Sequence, residues 1–250
     1  MKVASFPECS LIASSAFAYC SSLETLYAPK CSTLYAYVFR NCSNLCNLTL
    51  GAAKIGSNMV SGIAENKLLT ISGEVVFSSS AFSSCKMSGL HLCGNGTVYN
   101  NAFAYCSNLK QVYNENELVG NYQFLYCRSL KRVVSPNLKQ IATGAFKGCV
   151  TLACYSGKYA NYINNEAFFD CSKLSVIAFT SYMALTKSIG TNAFANTPFE
   201  NSTYLGYYGS IYVPESYLAS YLADSYWASY AERFAPLTSE ILALCEWEDL

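Results

Sequence analysis

The chain has 250 residues, 52% hydrophobic and 13% charged, against about a quarter charged in an ordinary soluble domain, so most side chains must be buried and few charges remain for chemistry. Sixteen Lys and Arg balance sixteen Asp and Glu, which leaves no long-range field to draw the chain onto nucleic acid or an anionic membrane. No apolar run nears the roughly 18 residues of a membrane-spanning helix, so membrane insertion is not expected.

Taken from the N-terminus, Val3-Ala4-Ser5-Phe6-Pro7 reads as a short strand closed by a proline. It is the end of a coil whose turn block is missing. The native polypeptide is therefore expected to extend upstream, with an export signal removed. The block Ala16-Phe17-Ala18-Tyr19-Cys20-Ser21-Ser22-Leu23 follows, and it recurs as Val38-Phe39-Arg40-Asn41-Cys42-Ser43-Asn44-Leu45 and as Ala102-Phe103-Ala104-Tyr105-Cys106-Ser107-Asn108-Leu109. Anchors at Phe17, Phe39, Val60, Phe82, Phe103, Phe124, Phe146, Phe168 and Phe194 stand 22, 21, 22, 21, 21, 22, 22 and 26 residues apart. Five residues before each anchor the side chain is always apolar, from Ile12 to Ile189. A Leu-x-x-Leu step, as in Leu23 to Leu26, leads into a short strand with alternate side chains inward.

A coil this short cannot bury its own apolar columns and must stack on its neighbours. About nine coils predict a repeat solenoid with short parallel strands. Strands about 4.8 Å apart give a stack roughly 40 Å long. The Ala-Phe blocks become turns or short helices on the other side, with the Phe rings forming an internal ladder.

Thirteen cysteines invite a disulfide framework or a metal site. Seven of them (Cys20, Cys42, Cys85, Cys106, Cys127, Cys149, Cys171) occupy one column, three residues after the anchor, where Ile63 and Thr197 also stand. A column that accepts Ile is a packing column, and buried cysteine behaves as a small hydrophobe. Cys9 and Cys31 share another column, 22 residues apart; free thiols and a bridge between adjacent coils both fit. There is no Cys-x-x-Cys pair, and Cys42 and Cys46 straddle a core and a strand position, so no zinc site is expected.

His91 is the sole histidine. It lies in Leu90-His91-Leu92, where alternation points it to solvent, and no Gly-x-Ser-x-Gly elbow accompanies it. Gly94-Asn95-Gly96 reads as a turn. Only Asp170, Asp224 and Asp249 supply aspartates, with no calcium loop. Paired carboxylates for glycoside hydrolysis need only meet in space, and nothing in the sequence brings a pair together. No catalytic residue, cofactor or metal ion is expected, and the chain does not read as an enzyme.

Twenty-one tyrosines are the more informative surplus. Tyr27 and Tyr113 fall on the outward strand position four residues after Leu23 and Leu109, where other coils place Thr49, Val134, Ser156 and Ala178. With His91, the candidate binding face is Tyr27, Thr49, His91, Tyr113 and Val134. Such a small, weakly polar face with isolated aromatics suits a protein or glycan contact; it equally suits a sheet that simply needs β-forming residues. Lys110, Arg128, Lys131, Arg132 and Lys139 form the basic cluster, either a polyanion site or solvated surface. Sequons begin at Asn41, Asn47, Asn95 and Asn201 and would matter only in a eukaryotic secretory protein.

After the last coil, Ile211-Tyr212-Val213-Pro214 leads into Tyr217, Leu218, Tyr221 and Leu222 at helical spacing, and Asp224 can cap a second helix carrying Trp227, Tyr230, Ala231 and Phe234 on one face. The acidic tail, with Glu240, Glu246, Glu248 and Asp249, adds one more helix or strand. Residues 1–213 thus read as the solenoid and 214–250 as a C-terminal helical cap and tail.

The pattern A-F-x-x-C-x-x-L-x-x-L, with a period of 21–23 residues over roughly 3–213, resembles the BspA-like leucine-rich repeats, and the I-Y-V-P ending resembles the cap of bacterial members. The resemblance implies a right-handed leucine-rich-repeat coil and an extracellular or cell-surface location. It further implies adhesion to an unidentified protein or glycan of a host or another microbe. A structural spacer within a larger surface protein is the alternative, and self-association through the uncapped N-terminal coil is a further option. Nucleic acid is not an expected partner.

Overall fold

The computed structural model describes residues 1–56, 59–94, 96, 98–117, 119–158, 161–181, 188–200 and 204–246. Asn95, Asn201, Glu248 and Asp249 lie outside them, and with them the sequons at 95 and 201 and the end of the acidic tail. Among the described residues the strands of successive coils, with one more from the C-terminal cap, form one eleven-stranded parallel sheet, ordered as in the chain. Its strands are β1 (Val3–Ser5), β2 (Thr25–Ala28), β3 (Asn47–Leu50), β4 (Leu68–Ser72), β5 (Gly89–Cys93), β6 (Gln111–Asn114), β7 (Arg132–Ser135), β8 (Cys154–Gly157), β9 (Val176–Phe179), β10 (Ser210–Val213) and β11 (Phe234–Pro236). Alternation sorts the side chains: Leu26 and Ala28 are buried in β2, and Leu48 and Leu50 in β3, while Tyr27 and Asn47 are exposed.

Two-residue strands pair along a second edge, Leu11–Ile12 with Thr33–Leu34, Lys54–Ile55 with Val76–Phe77, and Tyr162–Ile163 between Gln140–Ile141 and Ser188–Ile189. On the third side the Ala-Phe blocks are mostly tight turns. The turns around the phenylalanine anchors bend between two residues of positive φ four apart, such as Tyr122 (56°) and Tyr126 (53°) around Phe124. Gly144 and Gly148 hold those two places one coil on, with φ of 58° and 74°. A Cβ there would run into the rings of Tyr122 and Tyr126, so both the backbone and the neighbouring coil select glycine. Backbone amides tie the turns together: Phe124 donates to the Ala145 carbonyl and Phe146 to that of Ala167, both at 2.9 Å.

Inside, Phe103, Phe124, Phe146, Phe168 and Phe194 stack with successive centroids 5.4–5.6 Å apart. The ladder is the main apolar spine, and offset parallel rings add to its area burial. The columnar cysteines do more than fill space. The thiols of Cys42, Cys106, Cys127, Cys149 and Cys171 each donate to the carbonyl of the phenylalanine anchoring the preceding coil, at 3.0–3.2 Å. In most coils the thiol is a second donor to a buried carbonyl that already accepts a backbone amide, as Phe17 does from Cys20 and Phe124 from Cys127, so it fills the remaining acceptor position of that carbonyl. Burial pushes the Cys42 thiol up to about 11 and the Cys85 thiol up to about 12. Cys9 and Cys31 are both free thiols.

The sheet departs from the spacing-based alignment at β4. Leu48 pairs with Ile71 and Thr49 with Ser72, whereas Leu69 pairs with Leu90 and Thr70 with His91. The coil leading into β4 therefore carries two extra residues relative to the repeat columns. A two-residue offset preserves inward and outward faces, where a one-residue slip would exchange them. β4 and β5 are five residues long and bury both inward positions of each, Leu69 with Ile71 and Leu90 with Leu92.

The C-terminal end closes the core. α1 (Glu215–Ala223) is followed by a 3-10 helix over Ser225–Arg233, then β11, then α2 (Ser239–Leu244). The Asp224 carboxylate accepts from the Tyr226 amide at 3.0 Å, as a cap. Trp227, 1% exposed, packs on Phe179 at 6.2 Å, and Tyr230 meets Phe194 edge-on at 5.3 Å. Two expectations change here. The second cap helix is 3-10, and Phe234 lies beyond it, opening β11, which pairs with β10. The sheet thus crosses the boundary at 213, because the cap needs a backbone partner for β10 as well as an apolar lid. No described helix is long and apolar enough to cross a membrane.

Candidate functional site

The outward face of the sheet consists of rows that run across the strands. One row contains Thr25, Asn47, Thr70, His91, Tyr113, Val134, Ser156 and Ala178. A second, offset by two residues, contains Tyr27, Thr49, Ser72 and Cys93. The register change at β4 therefore divides the expected face. Tyr27 and Thr49 stand in the second row, while His91, Tyr113 and Val134 are adjacent in the first. Tyr27 is 45% exposed. Thr49, His91, Tyr113 and Val134 are half-buried. Strands β3, β4 and β5 separate Tyr27 from Tyr113, so the two rings stand roughly 19 Å apart at the sheet spacing and do not form one patch.

Where β5 meets β6, three chemically distinct groups converge. His91 Nε2 lies 3.2 Å from Glu115 Oε1, and the Cys93 thiol completes a cluster whose ligand atoms all lie within 4.8 Å of one another. The His91 ring meets the Tyr113 ring edge-on at 4.9 Å, which fixes its orientation. Burial, then the Glu115 carboxylate, pushes the Cys93 thiol up to about 11. His91 is thus held between a ring and a carboxylate and is not simply a solvated side chain. Sequence reading missed this group although its signal was present: His91 and Cys93 are two apart on one outward face, and Glu115 follows Cys93 by 22 residues, one coil.

At the other end, α2 folds back over the sheet. Cys245 forms a disulfide with Cys154 of β8, and the bridge packs with Ala178 against Val176, Tyr212, Leu237 and Ile241. The Arg132 guanidinium donates to the Glu246 carbonyl at 2.7 Å. Beside this contact a cavity of about 410 Å3 opens, lined by Lys110, Gln111, Lys131, Arg132, Cys154, Val176 and Leu244. The expected basic cluster is accordingly split. Lys110, Lys131 and Arg132 share the cavity, Lys139 pairs with Glu117 at 2.6 Å, and Arg128 sits over the Tyr126 ring at 5.5 Å. Sequence reading missed the disulfide because Cys245 has no place in the repeat. Replacing Cys154 and Cys245 by Ser is expected to lower the unfolding free energy by about 2–4 kcal/mol, read from urea denaturation. An unchanged midpoint would mean that apolar packing alone holds α2 in place.

The profile of the BspA type leucine-rich repeat region matches residues 2–110 and 96–212, in six copies. No curated protein matches the chain. Among solved structures, the chain is similar to a leucine-rich cell surface protein from Faecalibacterium prausnitzii, with 15% identity and a TM-score of 0.41, covering 92% of this chain and 82% of that one. It is also similar to a leucine-rich repeat protein from Bacteroides ovatus, with 15% identity and a TM-score of 0.28, covering 94% of this chain and 92% of that one. With matched copies running through most of its length, and with its coils stacked on one parallel sheet, the chain belongs to the BspA-type leucine-rich repeat family.

Proposed function

We propose that the protein is a non-catalytic interaction module of a surface-associated or secreted protein, and that it contacts a protein or glycan through the outward face of its sheet. The observation that carries this reading is the unequal covering of that face. α2 roofs the β8–β10 end through the Cys154–Cys245 bridge, while on β2 to β6 Thr25, Tyr27, Asn47, Thr49 and Tyr113 stay at least partly exposed among the described residues. The cavity lined by Lys110, Lys131 and Arg132 lies at the boundary and offers charged donors beside apolar surface, the mixture that fixes orientation in a binding site. A disulfide is at home in an oxidising compartment, which supports export.

The test is a glycan and extracellular-matrix array probed with the wild type and with Tyr27→Ala plus Tyr113→Ala. Loss of an aromatic anchor is expected to weaken binding roughly tenfold. Retained binding by the double variant would sink the sheet-face reading. A second reading, a structural spacer, draws support from the wide separation of Tyr27 and Tyr113; a wild type that binds nothing on the array would favour it.

A further inference from the structure

The geometry points to a mononuclear transition-metal site of the zinc class at His91, Cys93 and Glu115, with its remaining coordination position open to the outward face of the sheet. The donor set argues for the metal. A thiol, an imidazole and a carboxylate match the mixed S, N and O ligation of Zn2+, whereas Ca2+ and Mg2+ take oxygen ligands.

The spacing fits as well. Zinc–ligand bonds of about 2.0–2.3 Å place tetrahedral neighbours roughly 3.3–3.6 Å apart. His91 Nε2 and Glu115 Oε1 are already 3.2 Å apart, and no pair of ligand atoms in the group exceeds 4.8 Å. Closing the wider gaps takes side-chain movement of about an ångström, well within the reach of a cysteine or glutamate rotamer.

The scaffold supports the same conclusion. His91 and Cys93 are alternate residues of β5 and therefore project from the same face. Glu115 directly follows β6, and its amide donates to the Leu92 carbonyl at 2.9 Å, which ties its backbone to β5 between the two other ligands. Tyr113 holds the His91 ring edge-on. Ligands mounted on paired strands and oriented by a neighbour are held more accurately than ligands on a loop. On binding, the Cys93 proton passes to buffer and the thiolate becomes the sulfur ligand. The site does not depend on the proposed docking role of the sheet face, since its three ligands all come from this chain.

The experiment is a Co2+ titration of the chelator-treated full chain in anaerobic buffer without reductant, so that the Cys154–Cys245 bridge stays closed. One equivalent of Co2+ is expected to produce a thiolate-to-cobalt charge-transfer band, and Zn2+ is expected to abolish it. Cys93→Ser should remove the band, and Cys46→Ser should leave it unchanged. His91→Ala and Glu115→Gln should weaken Zn2+ binding by more than the roughly 10–100-fold that loss of an outer-shell partner costs. Circular dichroism checks that each variant is folded. If Cys93→Ser does not fold, the other two variants decide the outcome. Failure of the wild type to take up one equivalent, a band that survives Cys93→Ser, or affinity unchanged in both His91→Ala and Glu115→Gln would overturn the site.

Discussion

Between pH 9 and pH 11 the protein is expected to become steadily less stable, in a transition driven by its buried thiols. In the unfolded chain a cysteine ionises near 9, but in the fold burial holds Cys42 at about 11 and Cys85 at about 12. Cys149 and Cys171 are raised in the same direction by burial, and Cys106 by its neighbour Cys127 and by burial. Below pH 9 both states carry the proton and stability is complete. Above it the unfolded chain ionises first, so each such thiol subtracts about 1.4 kcal/mol per pH unit until its folded value is reached. Cys42 and Cys85 alone account for about 5 kcal/mol by pH 11, comparable to the whole stability of many domains. Urea midpoints measured at intervals between pH 8 and 11 should fall steeply, and Cys42→Ala with Cys85→Ala should flatten the slope. A midpoint independent of pH over that range would contradict the burial of these groups.

Phe124→Ala is expected to cost about 3–5 kcal/mol, the range for removing a fully buried aromatic side chain. Phe124 is 1% exposed and is stacked on both sides, on Phe103 and on Phe146, each at 5.6 Å. In a solenoid the consequence is more than local. Each coil contacts only its neighbours, so a weakened mid-stack interface uncouples the coils before it from those after it. Urea unfolding should therefore broaden or divide into two transitions. Phe17→Ala should cost less, since its stacking partner Phe39 lies 5.9 Å away and Phe6 meets it only obliquely. Equal costs at the two positions would refute the account.

Much of this protein was legible in its sequence because a stacked coil repeats its environment. Every 21 or 22 residues, and once after 26, the same side chain meets the same neighbours, so the anchors from Phe17 to Phe194 and the cysteine column could be read as core without coordinates. The apolar cap residues Trp227 and Tyr230 were equally plain. The hydrogen bonds from the columnar thiols to phenylalanine carbonyls were not, because a packing column and a donor column look alike in one dimension.

What the sequence by itself determined was the architecture: short parallel strands, a phenylalanine spine, turns at the Ala-Phe blocks and a C-terminal lid, all dictated by the need of a short coil to bury its apolar columns against identical neighbours. Only the tertiary structure decided the face. The extra residues before β4 shift the register by two, which leaves the buried columns intact and is therefore nearly silent in hydrophobicity, yet it moves Tyr27 and Thr49 out of the row of His91 and Tyr113. Likewise the meeting of His91, Cys93 and Glu115 across one coil, and of Cys154 with Cys245 across 91 residues, depends on which outward positions become neighbours. Burial repeats along the chain and can be read from it, whereas outward side chains are free of that constraint and acquire meaning only when stacking sets them side by side.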